Sequence, residues 1–133
     1  MALLTIVTML AVAQYFYFGA KVGGAREKYD VKAPATTGNE TFERYYRIHY
    51  NTLEQLVSFI PALWAFGHFV SQPYAAGLGA VFILGRFIYS ASYLKDPKSR
   101  SIGAVISSIP IIILIIGAFI CHSALKSALN NSL

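Results

Sequence analysis

The sequence predicts an all-α integral-membrane protein, a four-helix bundle running up-down-up-down, and three observations carry that expectation. Of 133 residues, 56% are hydrophobic and only 13% are charged, against about 25% charged in an average soluble domain. The apolar residues collect into four long runs joined by a long first connection, about 21–46, a short uncharged turn near 67–73 and a short charged link at 95–100. The 11 Lys and Arg residues fall almost entirely into two of those three connections. With a mean hydropathy of +0.52, such a composition excludes a disordered chain and an ordinary water-soluble globule. The length allows one domain, covering 1–133, with helices expected at about 2–20, 47–70, 73–94 and 101–126.

The first run, 2–20, has no charged side chain. At 1.5 Å per residue it reaches about 28 Å, close to the ~30 Å hydrocarbon core of a bilayer. It lacks a basic leading region, and Tyr15-Phe16-Tyr17-Phe18 is a poor small-residue cleavage site, so the run reads as a retained helix ending in an interfacial aromatic belt rather than a secretory signal. The second run contains Glu54 and Pro61, and the third contains Arg86. The fourth has no charge between Ser101 and Leu125 and carries the Ile-rich segment 111–116. Its length favours a spanning helix over a strand, with a bend expected at Pro110, which removes a backbone donor. Ala75, Ala76, Gly77, Gly79 and Ala80 form a small-residue patch suited to close helix packing.

The net charge is +5 and the isoelectric point is near 9.4, a balance that suggests either nucleic acid or an anionic membrane. Placement decides between them. Lys21, Arg26, Lys28, Lys32, Arg44 and Arg47 lie in or beside the first connection, and Lys95, Lys98 and Arg100 in the third. In an alternating bundle these connections share one side, so the positive-inside rule places both in the cytoplasm. The expected location is a multi-pass membrane: the endoplasmic reticulum in a eukaryote, the inner membrane in a bacterium. No basic-aromatic stripe indicates nucleic-acid binding. The single Cys121 cannot form an internal disulfide and has no ligand-spaced partner for a metal, and it reads as a packing residue, as Trp64 does. His68 and His122 read as interfacial groups.

Topology does not explain the polar residues within the runs. Arg47, Asn51 and Glu54 stand at i, i+4 and i+7, on one helical face, and Ser58 continues the stripe. Arg86, Tyr89 and Tyr93 stand at i, i+3 and i+7 on another. An ionised group at membrane depth costs roughly 2.5–3.5 kcal/mol and so faces the bundle interior or a partner. One outcome is a purely structural clamp pairing Glu54 with Arg86 or Arg47. The other is a site for a small zwitterion with more than one carboxylate: guanidinium forks bind carboxylates, Glu54 takes an ammonium, Asn51 an amide, and the tyrosines add hydroxyls. A nearby guanidinium, such as that of Arg100, also favours a bound thiol as thiolate.

These residues resemble the MAPEG family, the membrane-associated proteins in eicosanoid and glutathione metabolism. The likeness rests on Gly38-Asn39-Glu40-Thr41-Phe42-Glu43-Arg44 leading into Arg47-Ile48-His49-Tyr50-Asn51-Thr52-Leu53-Glu54. It extends through Gly85-Arg86-Phe87-Ile88-Tyr89-Ser90-Ala91-Ser92-Tyr93 and Pro97-Lys98-Ser99-Arg100. It covers about residues 5–125 and stands nearer the microsomal glutathione transferase branches than the leukotriene synthase branch. The resemblance implies a homotrimer that binds glutathione between neighbouring subunits, near the cytosolic face. By the same resemblance Arg26, Arg47, His49, Asn51, Glu54, Tyr89 and Tyr93 hold glutathione, Arg86 supports the polar core, and Arg100 stabilises the thiolate. The thiolate then attacks a lipophilic electrophile arriving from the bilayer, or reduces a lipid hydroperoxide; no metal takes part. Tyr45, His49, Glu27 and Gln55 depart from the family pattern. Two rivals remain at this stage: a non-catalytic lipid-binding scaffold of the same family, and a small proton-coupled drug antiporter using Glu54.

Overall fold

A computed structural model describes residues 1–132. Four helices follow one another: α1 (Ala2–Lys28), α2 (Glu40–Phe69), α3 (Gln72–Lys95) and α4 (Arg100–Asn131), with a single 3₁₀ turn, Pro97–Ser99, before α4. Gly67 of α2 sits against Leu4 of α1, Gly79 of α3 against Val7 of α1, and Gly85 of α3 against Ser107 of α4. Those meetings make successive helices antiparallel, as the four apolar runs predict. α2 and α3 form the middle of the bundle and each packs on all the other helices, whereas the α1 and α4 backbones lie on opposite sides with no close approach.

The helices overrun the apolar segments at their ends. α1 continues through Gly23-Gly24 to Lys28, and α2 begins at Glu40 rather than near 47, so the connection shrinks to 29–39. The extra turns are held by their own small core. Val22, Ala25, Val31 and Phe42 are buried together there, and two glycines in α1 cost less than that burial returns. Arg26 and Lys28 complement the negative end of the α1 dipole. At the start of α2, Asn39 accepts from the Phe42 N–H at 3.0 Å, with Glu40 and Glu43 in the first turn. Ser71 caps α3, and α4 runs five residues past the expected 126, continuing unbroken through Pro110.

α1, α3 and α4 are long and apolar enough to cross a membrane. α2, the second of the four expected spans, falls short of that standard because its first half carries the chain's polar cluster. It nevertheless runs the length of the bundle, from Arg47 beside Arg100 to Phe69 beside Cys121. Protein on three sides shields much of it from lipid. The outer faces of α1 and α4 expose Ile6, Met9, Leu10, Phe16, Ile109, Ile112, Ile116 and Phe119. So large an apolar surface is untenable in water and matches hydrocarbon. The chain is an integral membrane protein.

The main core runs from mid-height to the end where α1 begins, with Leu4, Val7, Phe59, Leu63, Phe66, Phe82 and Leu114 buried together. Phe59 and Phe82 stack with centroids 4.0 Å apart, and Trp64 donates to Thr8 Oγ1 at 3.0 Å. Of the small-residue patch, Ala75 and Gly79 are buried as expected, but Gly77 faces outward with nothing near it. The tightest approach is between α3 and α4, where Gly103 meets the Tyr89 backbone and a Cβ on Gly85 would lie 2.7 Å from the Ser107 nitrogen. Backbone cannot yield as a side chain does. Gly85→Val is therefore expected to lower stability by about 3 kcal/mol or more, read as a fall in thermal midpoint of the detergent-solubilised protein.

Candidate functional site

At the end of the bundle where α1 and α3 finish and α2 and α4 begin, one arginine is fully internal. Arg86 is only 1% exposed. Its Nη2 donates to Thr52 Oγ1 at 2.8 Å, and Thr52 Oγ1 donates to the Ile48 carbonyl at 2.7 Å. The Thr52 hydroxyl thus spends its proton on α2 and turns its lone pairs to the guanidinium. The Arg86 carbon stands 4.3 Å from the centre of the Tyr89 ring, a cation–π contact that gains weight in a desolvated setting. Tyr89 stacks on Tyr93 at 5.7 Å, and the Arg100 carbon lies 5.5 Å from the Tyr93 ring centre. Two guanidinium groups therefore bracket two phenol rings in a column.

The 3₁₀ turn fixes the far end of this column. Asp96 Oδ1 accepts from the Lys98 N–H at 3.0 Å, while Ser99 Oγ bonds the Ser92 and Asp96 carbonyls at 3.0 and 2.8 Å. Arg100 opens α4 immediately afterwards, so its backbone is anchored although its side chain is exposed. Arg44 ties the same end of the fold across helices, bonding Glu40 at 2.6 Å and the Leu94 carbonyl at 3.2 Å.

These elements enclose a cleft of about 300 Å³ lined by Arg47, Asn51, Gln55, Arg86, Tyr89 and Arg100. A second hollow of about 450 Å³ adjoins it across Arg47 and includes Tyr93, Tyr50 and Glu43. Five of the nine residues expected from sequence thus share one cleft, and Tyr93 borders it. Glu54 sits at its exposed outer edge, where its Oε2 accepts from Asn51 Nδ2 at 3.2 Å. The anticipated pairing of Glu54 with Arg47 or Arg86 is not formed: among the described residues the salt bridge is Arg44–Glu40. The i+7 position had rotated Glu54 outward, leaving Gln55, at i+4 from Asn51, to face α4. Thr52, the partner of Arg86, and Gln55 are the site residues that sequence reasoning passed over, although that i+4 spacing pointed to Gln55.

Arg26 and His49 lie elsewhere. Arg26 Nη1 donates to the Ala35 and Val31 carbonyls at 2.7 and 3.3 Å, and its guanidinium covers Phe42. It organises the connection between α1 and α2. His49 stacks on Tyr15 of α1 at 4.4 Å and rests against Gly19, a quarter-turn or more away from Arg47 and Asn51 on α2. Neither reaches the cleft of its own chain.

Three guanidinium groups with no carboxylate among the cleft's lining residues make a strongly anion-attracting site, and their fork geometry suits carboxylates. Among the described residues there is no cluster of His, Cys, Asp and Glu able to hold a metal. The cleft's own side chains offer charge stabilisation and hydrogen bonding.

Residues 4–120 match the model of the MAPEG family. The chain belongs to the MAPEG family. Among its relatives is Uncharacterized protein sll1147 of Synechocystis, 45% identical over 86% of this chain and 84% of that protein. Microsomal glutathione S-transferase 2 of Homo sapiens is 42% identical over 76% of this chain and 69% of its own length. Leukotriene C4 synthase of Bos taurus is 37% identical over 74% and 66%. Within this family member, the Arg86–Thr52 bond gives a direct test of the polar core. Thr52→Val keeps the shape but strands a buried guanidinium donor, at about 1–3 kcal/mol, whereas Thr52→Ser is expected to hold most of the stability. Thermal unfolding of the two variants in detergent measures the difference.

Proposed function

We propose that the protein is a membrane-bound glutathione transferase, joining the sulfur of glutathione to a lipophilic electrophile drawn from the bilayer. The gathering of Arg47, Asn51, Arg86, Tyr89 and Arg100 into one cleft carries this reading. Glutathione has two carboxylates, two amide groups, an ammonium and a thiol. Arg47 and Arg86 supply charge for carboxylate, Asn51 and Gln55 meet amides, and Glu54, held beside Asn51, takes the ammonium at the rim. Tyr89 and Tyr93 hold the polar backbone of the ligand.

Arg100 stabilises the thiolate. A guanidinium a few ångströms from sulfur lowers the thiol's proton affinity, so the proton leaves to solvent and the sulfur attacks with its lone pair. A carbon–sulfur bond forms while the electrophile's leaving group departs or its strained ring opens. Reduction of a lipid hydroperoxide uses the same thiolate, with attack on oxygen and loss of the alcohol. The kinship with microsomal glutathione S-transferase 2 and leukotriene C4 synthase supports this chemistry over a scaffold or an antiporter. An apolar groove of about 480 Å³ between α2 and α4, lined by Ser58, Ala62, Ala65, Ile115 and Phe119, continues the stripe below the cleft. It suits an apolar substrate tail.

The functional unit of this reading is a homotrimer with its first and third connections in the cytoplasm. Arg26 and His49, which point away from their own chain's cleft, then complete the site of a neighbouring copy. Two outcomes follow. Arg100→Ala should reduce glutathione conjugation by about 10²-fold or more and abolish the ultraviolet thiolate signal on stopped-flow mixing with glutathione, while leaving binding measurable by calorimetry; a normal thiolate signal would refute the role. Arg26→Ala and Arg100→Ala should each be impaired alone, yet regain activity when the two chains are co-expressed, because a mixed assembly contains sites with both arginines intact.

A further inference from the structure

On the side of the bundle away from the arginine cleft, α1 and α3 leave a groove that the proposed chemistry does not use. Its inner part, about 250 Å³, is floored by Phe18, Ile48 and Phe87 and rimmed by Tyr17, Lys21 and Tyr45. A shallower continuation of about 440 Å³ shares that rim and runs along α1 to Lys28 and Tyr29. Phe87 meets the edges of Tyr17 and Phe18, at 6.2 and 5.9 Å, and so forms the wall between α1 and α3. The groove is apolar at depth and cationic at its mouth. Lys21 and Lys28 stand seven residues apart on one face of α1, together with Tyr17 and Gly24. Each ammonium lies over a tyrosine ring, Lys21 over Tyr17 at 5.3 Å and Lys28 over Tyr29 at 5.4 Å.

Charge and depth together identify the occupant. Neither lysine is paired with a carboxylate, the salt bridge among the described residues being Arg44–Glu40. Glu27, the nearest acid on α1, is turned about 100° from Lys28 and does not line the groove. Lys21 is the first charged residue after the uncharged stretch that begins α1, so it stands where hydrocarbon gives way to headgroups. An apolar trough opening beneath two unneutralised ammonium groups at that level matches a phosphodiester with an attached acyl chain.

We propose that this groove is a binding site for an anionic phospholipid, with its phosphate held by Lys21 and Lys28, the tyrosine hydroxyls beside it, and one acyl chain laid over Phe18, Ile48 and Phe87. The site is independent of the glutathione reading and stands or falls separately. It makes lipid composition a determinant of how α1 is held against α3.

Native mass spectrometry of the full-length protein, released from nanodiscs of phosphatidylcholine containing one-fifth phosphatidylglycerol, tests the proposal. Wild type should retain phosphatidylglycerol in preference to phosphatidylcholine. Lys21→Gln/Lys28→Gln should lose that preference by about twenty-fivefold, at roughly fivefold for each lysine near an anionic surface. Ala91 of α3 also lines the trough; Ala91→Phe, which fills it without touching charge, should reduce retention of both lipids and serves if the double variant folds poorly. Lys98→Gln, outside the groove, should change nothing. An unchanged preference in the lysine double variant would overturn the site. So would an equal loss in Lys98→Gln, which would mean diffuse surface charge, or full displacement by inorganic phosphate, which would mean a headgroup contact without a seated chain.

Discussion

A guanidinium held inside a hydrocarbon-facing bundle is the constraint around which the rest of the structure is arranged. Arg86 is surrounded by protein and keeps its charge tolerable through the Thr52 hydroxyl and the Tyr89 ring. Both partners must stay in place, since a lone ion at that depth costs several kcal/mol. That requirement locks α2 to α3 at one end of the bundle. The close approach of Gly85 of α3 to Ser107, and of Gly103 of α4 to Tyr89, then brings the start of α4 alongside. Arg100 is delivered to the same spot as a result, and the cleft is a consequence of satisfying Arg86.

The two faces of the bundle divide the labour of its positive charge. On the α2–α4 side, guanidinium groups converge with amides and phenols into a concave site for a polyvalent anion. On the α1–α3 side, ammonium groups stand above an apolar trough. The choice of side chain follows the task. A planar fork with fixed donors discriminates among carboxylates, whereas a flexible, strongly hydrated ammonium suits a membrane surface. The positive-inside pattern accounts for neither arrangement, because it concerns only which side of the bilayer the charges occupy.

Glu54 shows how helical spacing can mislead. Placing Arg47, Asn51 and Glu54 on one face was correct to within about 60°, yet α4 packs against only part of that face. Gln55 therefore lines the cleft and Glu54 stands at its edge. Arg26 illustrates a different limit. Its sequence position beyond the first apolar run reads as loop, but Val22, Ala25 and Phe42 extend the helix and aim the guanidinium at carbonyls of the connection. A hydropathy boundary marks where lipid ends, and helices continue past it wherever local packing and capping support them.

Composition and periodicity by themselves determined that this is a helical membrane protein of alternating topology, since twenty uncharged residues in lipid have no other way to satisfy their backbone. They also marked the residues that resist a topological explanation: Arg47, Asn51, Arg86 and Tyr89 were legible as polar groups on helical faces, and Arg100 as a guanidinium on the adjoining connection. Which of those faces meet was decided only in three dimensions. Thr52 and Gln55 joined the site, Glu54 moved to its rim, and Arg26 and His49 turned away, because the azimuth of each helix is set by how glycines and aromatic rings interlock with its neighbours. A single chain's spacing carries no information about that rotation.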